Sequence, residues 1–370
     1  MLKKVRFRVG RQPLAALICL YLFSAAPDAF AQQSSSDHAS SRVASTRAVA
    51  KWPEGFHEDW RSLTLESSTL KPERPVLLEK TELPDGKNVR EHIQVGWRPN
   101  DTFDLYVILP KGAKKSPVIL YLYSNPEGIA RFTNNDWYTG TAVEGYAAVG
   151  FVSALTAERV LNRPLDETFL GMLPQSLASS VHDVQLILDY LNSRGDLDMD
   201  RVGMFGAGSG GTIAILASAA DARIKAVDVL NPWGDWPTWA ARSKVIPDER
   251  DQRLKYTDPQ FLAAVAPLDP VRWLPELKAR SVRIENVRQE SSVPVESQEK
   301  IEEAAPVWAQ INQFGDYRVL ISMMPGSGIT SWLRQELQSN ATAETVAEKS
   351  KRVHFYPAEG KPFEQAPAQP

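Results

Sequence analysis

The sequence predicts an α/β fold: a mostly parallel central sheet with helices on both faces, antiparallel strands on its N-terminal side, and a helical cap insertion. Three observations predict it. Strand runs joined by turns come first, short apolar runs alternating with helical stretches follow from Pro117, and at 201–220 a strand passes through a glycine-rich turn into a helix. Continuous apolar strands separated by helices mark a parallel sheet covered on both faces.

The N-terminus places Lys3, Lys4, Arg6, Arg8 and Arg11 before the apolar run PLAALICLYLF, followed by the small-x-small triplet Ala29-Phe30-Ala31. That order predicts a signal peptide over residues 1–31 and a periplasmic or secreted mature protein. The apolar run is short and bounded by Pro13 and Pro27, which argues against an uncleaved anchor. The only cysteine, Cys19, lies inside it, so disulfides are not expected in the mature fold. Cleavage removes five of 42 basic and one of 45 acidic residues, leaving 37 against 44, a net charge of −7. That sign speaks against nucleic acid and anionic membrane as partners. A protein partner is left open.

Residues 32–50 are polar and Ser-rich and read as a disordered linker. The domain itself is expected over 51–340, with a tail over 341–370. Two strand runs, VLLEKTEL and REHIQVGW, meet across Asp85-Gly86, and DLYVILP follows the turn at Pro99-Asn100-Asp101. The parallel strands are then expected at PVILYLY (117–123), AAVGFVSAL (147–155), RVGMFG (201–206), IKAVDVLN (224–231), SVRIENV (281–287) and YRVLISMM (317–324). Leu177, Val181, Val184, Leu188 and Leu191 form one helical stripe ending at Gly195, with His182 on the polar side and expected at the surface. About fifty residues separate IKAVDVLN from SVRIENV, longer than an ordinary connection, which places the cap at about 232–280. Its Trp233, Trp236 and Trp239 either line a ligand pocket or pack the cap onto the sheet.

The segment RVGMFGAGSGGTIAILASAA resembles the nucleophile turn of the α/β-hydrolase superfamily, in particular its dienelactone hydrolase and prolyl-oligopeptidase-like branches, and the resemblance spans roughly residues 75–335. It implies an α/β-hydrolase fold and a Gly-x-Ser-x-Gly-Gly turn. Gly206, Gly210 and Gly211 match its glycines, and the nucleophile position falls on Gly208, which has no hydroxyl. A register shifted by one, Ala207-x-Ser209-x-Gly211, would supply Ser209 instead. The resemblance implies an acid after the next-to-last strand, where ESSVP places Glu290. It implies a histidine in the turn PGSGI, where Ile329 stands. The tail KRVHFYPAEGKPF also resembles a last strand and turn, with Lys361 in the histidine position and His354 within the strand.

Gly206-x-Gly208-x-x-Gly211 also spells the dinucleotide-binding fingerprint, with Asp228 as its acidic partner. Asp228 lies mid-strand, and an exported protein would meet little dinucleotide, so no cofactor is expected. The five scattered histidines have no metal-ligand spacing. The expectation is therefore a non-catalytic hydrolase-fold protein that binds a small carbonyl- or carboxylate-containing ligand, or a protein. Amides of Ser209 and of the Ser124-Asn125 region would form the cradle for the ligand's oxygen. The alternatives are an esterase or peptidase using Ser209, Glu290 and His354, and a dinucleotide binder.

Overall fold

A computed structural model describes residues 54–70, 74–99, 101–123, 130–133, 145–156, 159, 172–248, 250–327, 329–338 and 352–358. The expected signal peptide, linker 32–50 and Lys361, together with Ser124 and Asn125, lie outside the described residues.

Ten strands form one sheet: β1 (Val76–Glu82), β2 (Asn88–Arg98), β3 (Asp101–Pro110), β4 (Ser116–Leu122), β5 (Ala147–Phe151), β6 (Leu197–Ala207), β7 (Ile224–Leu230), β8 (Ser281–Val287), β9 (Gln310–Phe314) and β10 (Arg352–Tyr356). Their order is β1-β2-β3-β5-β4-β6-β7-β8-β9-β10. Pairings from β1 to β5 through β2 and β3 are antiparallel, and every pairing from β5 to β10 is parallel. Strands β4, β5 and β8 are buried along their whole length, as their continuous apolar runs require.

The described helices include α1 (Leu173–Arg194), α2 (Ser209–Ala220), α3 (Trp236–Arg242), α4 (Arg250–Tyr256), α5 (Pro259–Val265), α6 (Val295–Ala304), α7 (Tyr317–Ser327) and α8 (Ile329–Gln338). The predicted stripe of α1 is wholly buried, and Gly195 ends the helix in the left-handed conformation with φ +76°. Two glycines of β6 show that helices cover both faces. A Cβ on Gly206 would press against Gly210 and Gly211 of α2, whereas one on Gly203 would meet Leu333 and Leu337 of α8. The two positions differ by an odd number of residues, so they face opposite sides of the sheet.

Two expectations are corrected. YRVLISMM is helix α7, and the strand stands just before it at Gln310–Phe314. The reason is local: the Asp316 carboxylate accepts the Val319 amide at 3.0 Å, a helix N-cap that an apolar run read as strand conceals. His182 is not at the surface but fully buried, because residues 54–70 cover that side of α1 with Glu58 and the Ser62 carbonyl. In addition, the tail contributes β10, paired in parallel with β9. Short helices α3, α4 and α5 occupy the stretch between β7 and β8. Trp233, Trp236 and Trp239 are at most 1% exposed and pack ring against ring.

Candidate functional site

Parallel strands bring their following loops to one edge of the sheet, so the loops after β6, β7, β8 and β9 meet there. β6 ends at Ala207, and Gly208 turns the chain into α2 with φ +53° and ψ −122°. Only glycine adopts that conformation without strain. The turn is also tight: a Cβ on Gly206 would lie 2.3 Å from the Gly210 carbonyl oxygen, and one on Gly210 would lie 2.3 Å from that of Leu122. Gly208 is held by its amide on the Leu230 carbonyl at 2.8 Å, and its own carbonyl accepts the amides of Thr212 and Trp233. Ser209 opens α2 and is fully buried.

After β7 the chain turns at Asn231, at φ +44°. Its side chain joins two neighbouring loops: Oδ1 accepts the Val287 amide at 2.7 Å and Nδ2 donates to the Tyr317 hydroxyl at 3.0 Å. After β8 comes Glu290. One carboxylate oxygen accepts the Ser292 amide at 2.8 Å, and the other accepts the Tyr317 hydroxyl. Tyr317 itself follows β9 through Gly315-Asp316. Burial, then the adjacent Glu290 charge, push the phenol far above its ordinary range, so it stays protonated. Along the chain, the loop positions at this edge therefore read glycine, carboxylate, phenol.

Sequence patterning does not single out Tyr317, because it opens the run YRVLISMM (317–324), whose apolar pattern predicts a strand. The available signal was Gly315-Asp316 ahead of an apolar run, which marks a turn and a helix start. Ile329 begins α8 instead of following a strand. His354 is exposed in mid-β10 opposite Asn312, and β10 lies four strands from β6, about 19 Å at the usual strand spacing. The fold thus does not bring Ser209, Glu290 and His354 together. The other described histidines are engaged or remote: His92 lies beside Asp104 at 3.2 Å, His182 beside Glu58 at 2.7 Å, and His57 is exposed.

The acidic partner of the dinucleotide reading fails as well. Asp228 is fully buried within β7 and held by Arg283 of β8 at 2.9 and 2.6 Å, so it cannot reach a ribose. Among the described residues no cluster of His, Cys, Asp or Glu could hold a metal ion, and no helix is long and apolar enough to cross a membrane.

Chemically, the arrangement offers helix N-terminal amides at the elbow and a protonated phenol fixed between an amide and a carboxylate. It offers no hydroxyl at Gly208.

No protein-family model matches the sequence, and no curated protein matches it. Solved structures do match in fold. An acetyl xylan esterase from Thermoanaerobacterium superposes with a TM-score of 0.55 at 14% identity, covering 73% of this chain and 90% of the esterase. An acylaminoacyl peptidase from Pyrococcus horikoshii gives 0.53 at 17% identity, covering 71% of this chain and 44% of the peptidase. A 2,6-dihydroxy-pseudo-oxynicotine hydrolase gives 0.51 at 16% identity, covering 72% and 70%. The chain has the α/β-hydrolase fold.

Proposed function

We propose that this chain of α/β-hydrolase fold is an exported binding protein without serine-hydrolase turnover, which holds a small carbonyl- or carboxylate-containing ligand at the strand edge. One observation carries the reading: the Glu290 carboxylate, after β8, is occupied by the Tyr317 phenol from the loop after β9, where a histidine base would have to stand. A serine hydrolase needs a base to take the hydroxyl proton and an acid to orient that base. A phenol held protonated takes no proton, and Gly208 has none to give.

The elbow retains other uses. The amide of Ser209, at the N-terminus of the twelve-residue α2, favours a ligand oxygen carrying negative charge, and a second amide near Ser124-Asn125 would complete the cradle. Export rests on the basic, apolar and small-residue order of residues 1–31. N-terminal sequencing of the exported protein should begin at Gln32.

The deciding experiment is hydrolysis of short-chain aryl esters by the purified mature protein beside Ser209→Ala. Neither should exceed the protein-free rate. Hydrolysis by the wild type that Ser209→Ala abolishes would establish the esterase reading instead.

A further inference from the structure

The opposite end of the sheet from Gly208 and Glu290 carries a cavity of about 210 Å³. Lys80 of β1, Val89 of β2, Leu109 of β3, Lys111, Ser116 and Asp196 are among the residues that line it. Ser116 opens β4, whose last residue, Leu122, lies against Gly210 of the elbow turn. Six residues of strand separate the two ends by about 20 Å. The volume is below the ~300–1,000 Å³ of sites for drug-sized ligands, so an occupant is a small molecule.

Ser116 is only 2% exposed, and its amide donates to the Asp196 carbonyl at 3.3 Å. Its side chain lines the cavity, and among the described residues its hydroxyl has no hydrogen-bond partner. A hydroxyl sunk in the wall and paired with no protein group is available to a bound molecule. The lysines are only partly engaged. Lys80 Nζ donates to Glu91 at 2.9 Å, and Lys111 Nζ lies 2.7 Å from the Glu82 carboxylate. An ammonium has three donors, so each keeps two. Asp196 is held by Arg194 at 3.0 and 2.8 Å, one bond to each oxygen, and each oxygen keeps a lone pair. Val89 and Leu109, partners across β2 and β3, supply an aliphatic wall.

Charge then selects the ligand class. Lys114 and Lys115, next to Ser116 in the chain, are exposed and pair with no carboxylate among the described residues. Glu82 and Glu91 neutralise two of the four lysines and Arg194 offsets Asp196, so the surround keeps a positive surplus that attracts an anion. Asp196 sets a limit on that anion. A phosphate carries more than one negative charge at neutral pH and would face this carboxylate, whereas a hydroxyl would donate to it. We propose that the cavity binds a small hydroxycarboxylate of the sugar-acid kind, its carboxylate on Lys80 and Lys111 and its hydroxyls on Asp196 and Ser116. The site is separate from the strand edge, and either can exist without the other.

The test is equilibrium dialysis of radiolabelled gluconate against the whole mature protein at constant ionic strength. One equivalent should bind saturably, with a Kd below about 10 mM. Acetate and inorganic phosphate, as competitors, should be at least about tenfold weaker. Lys111→Gln removes a charged donor and should weaken gluconate binding at least about tenfold, and Ser116→Ala removes a neutral one and should weaken it about two- to tenfold. Lys111 is exposed and Ser116→Ala only trims a hydroxyl, so both variants should keep the wild-type unfolding transition. Gly208→Ser, at the other end of the sheet, should leave gluconate binding unchanged. Absence of saturable binding overturns the proposal, as does acetate or phosphate competing as well as gluconate. Binding that Gly208→Ser abolishes and Lys111→Gln spares belongs to the strand edge: the cavity proposal then fails while the strand-edge function stands.

Discussion

At the scale of single residues, Gly208 and Tyr317 decide what the strand edge can do. At φ +53° and ψ −122°, Gly208→Ser introduces a side chain into a region that glycine enters freely, costing about 1–3 kcal/mol in denaturant unfolding. The variant should still not cleave aryl esters, since a hydroxyl without a base is a weak nucleophile. Tyr317 stands beside Glu290 while Ile329 opens α8, so under the proposed reading 317 is the position at which to install a base. Adding Tyr317→His to Gly208→Ser should raise ester hydrolysis at least about tenfold above either single change, because triad members act as a unit. Equal rates in the double and single variants would show that the edge no longer aligns these three loops. Tyr317→Phe is a separate probe. It leaves the Asn231 amide and the Glu290 carboxylate without their shared partner, and should cost about 1–3 kcal/mol in unfolding free energy.

At the scale of elements, the approach of α2 to β6 and β4 is set by absent side chains. Gly206→Ala places a Cβ 2.3 Å from a backbone carbonyl that cannot move without breaking the elbow. Its destabilisation should reach about 3 kcal/mol or more, seen as lost soluble yield or a collapsed Tm. Gly112→Ala is the control. There φ is +72° but nothing lies within 4 Å, so only backbone strain of about 1 kcal/mol is expected. A comparable loss in both would mean that conformation, not close approach, dictates the turn. The glycines were legible in the sequence because a strand-turn-helix has few solutions. The boundary between β9 and α7 was not, since QINQF is short and half polar while YRVLISMM is apolar at positions that suit either element. The Asp316 cap resolves it.

At the scale of the whole molecule, two buried carboxylates set opposite pH limits. Burial raises Glu285 to about 7, and nearby Asp228 adds to this, while Arg283 and Asn312 oppose it. A carboxylate raised above its unfolded value contributes stability that is full below about 4.5 and is lost as pH rises through about 7. Glu58, lowered to about 2, contributes stability that is full above about 4.5 and is lost as pH falls through about 2. Glu285→Gln should therefore lose more stability relative to wild type at about pH 5 than at about pH 8, by about 1–3 kcal/mol in paired denaturant titrations. A difference that does not change with pH would mean that Glu285 keeps one protonation state throughout. The sequence by itself determined the α/β class, the α1 stripe, the glycine turn with Gly208 at its centre, and Glu290 as the acid candidate. Apolar periodicity and glycine placement are local properties, written within a few turns of chain. Only the tertiary structure decided that Tyr317 meets Glu290, that His354 stands on the far edge strand, that Asp228 is tied to Arg283, and that His182 is buried against Glu58. Those facts depend on which loops the sheet order brings to one edge and which segments fold back over a helix, and both are set by contacts between residues distant in the chain.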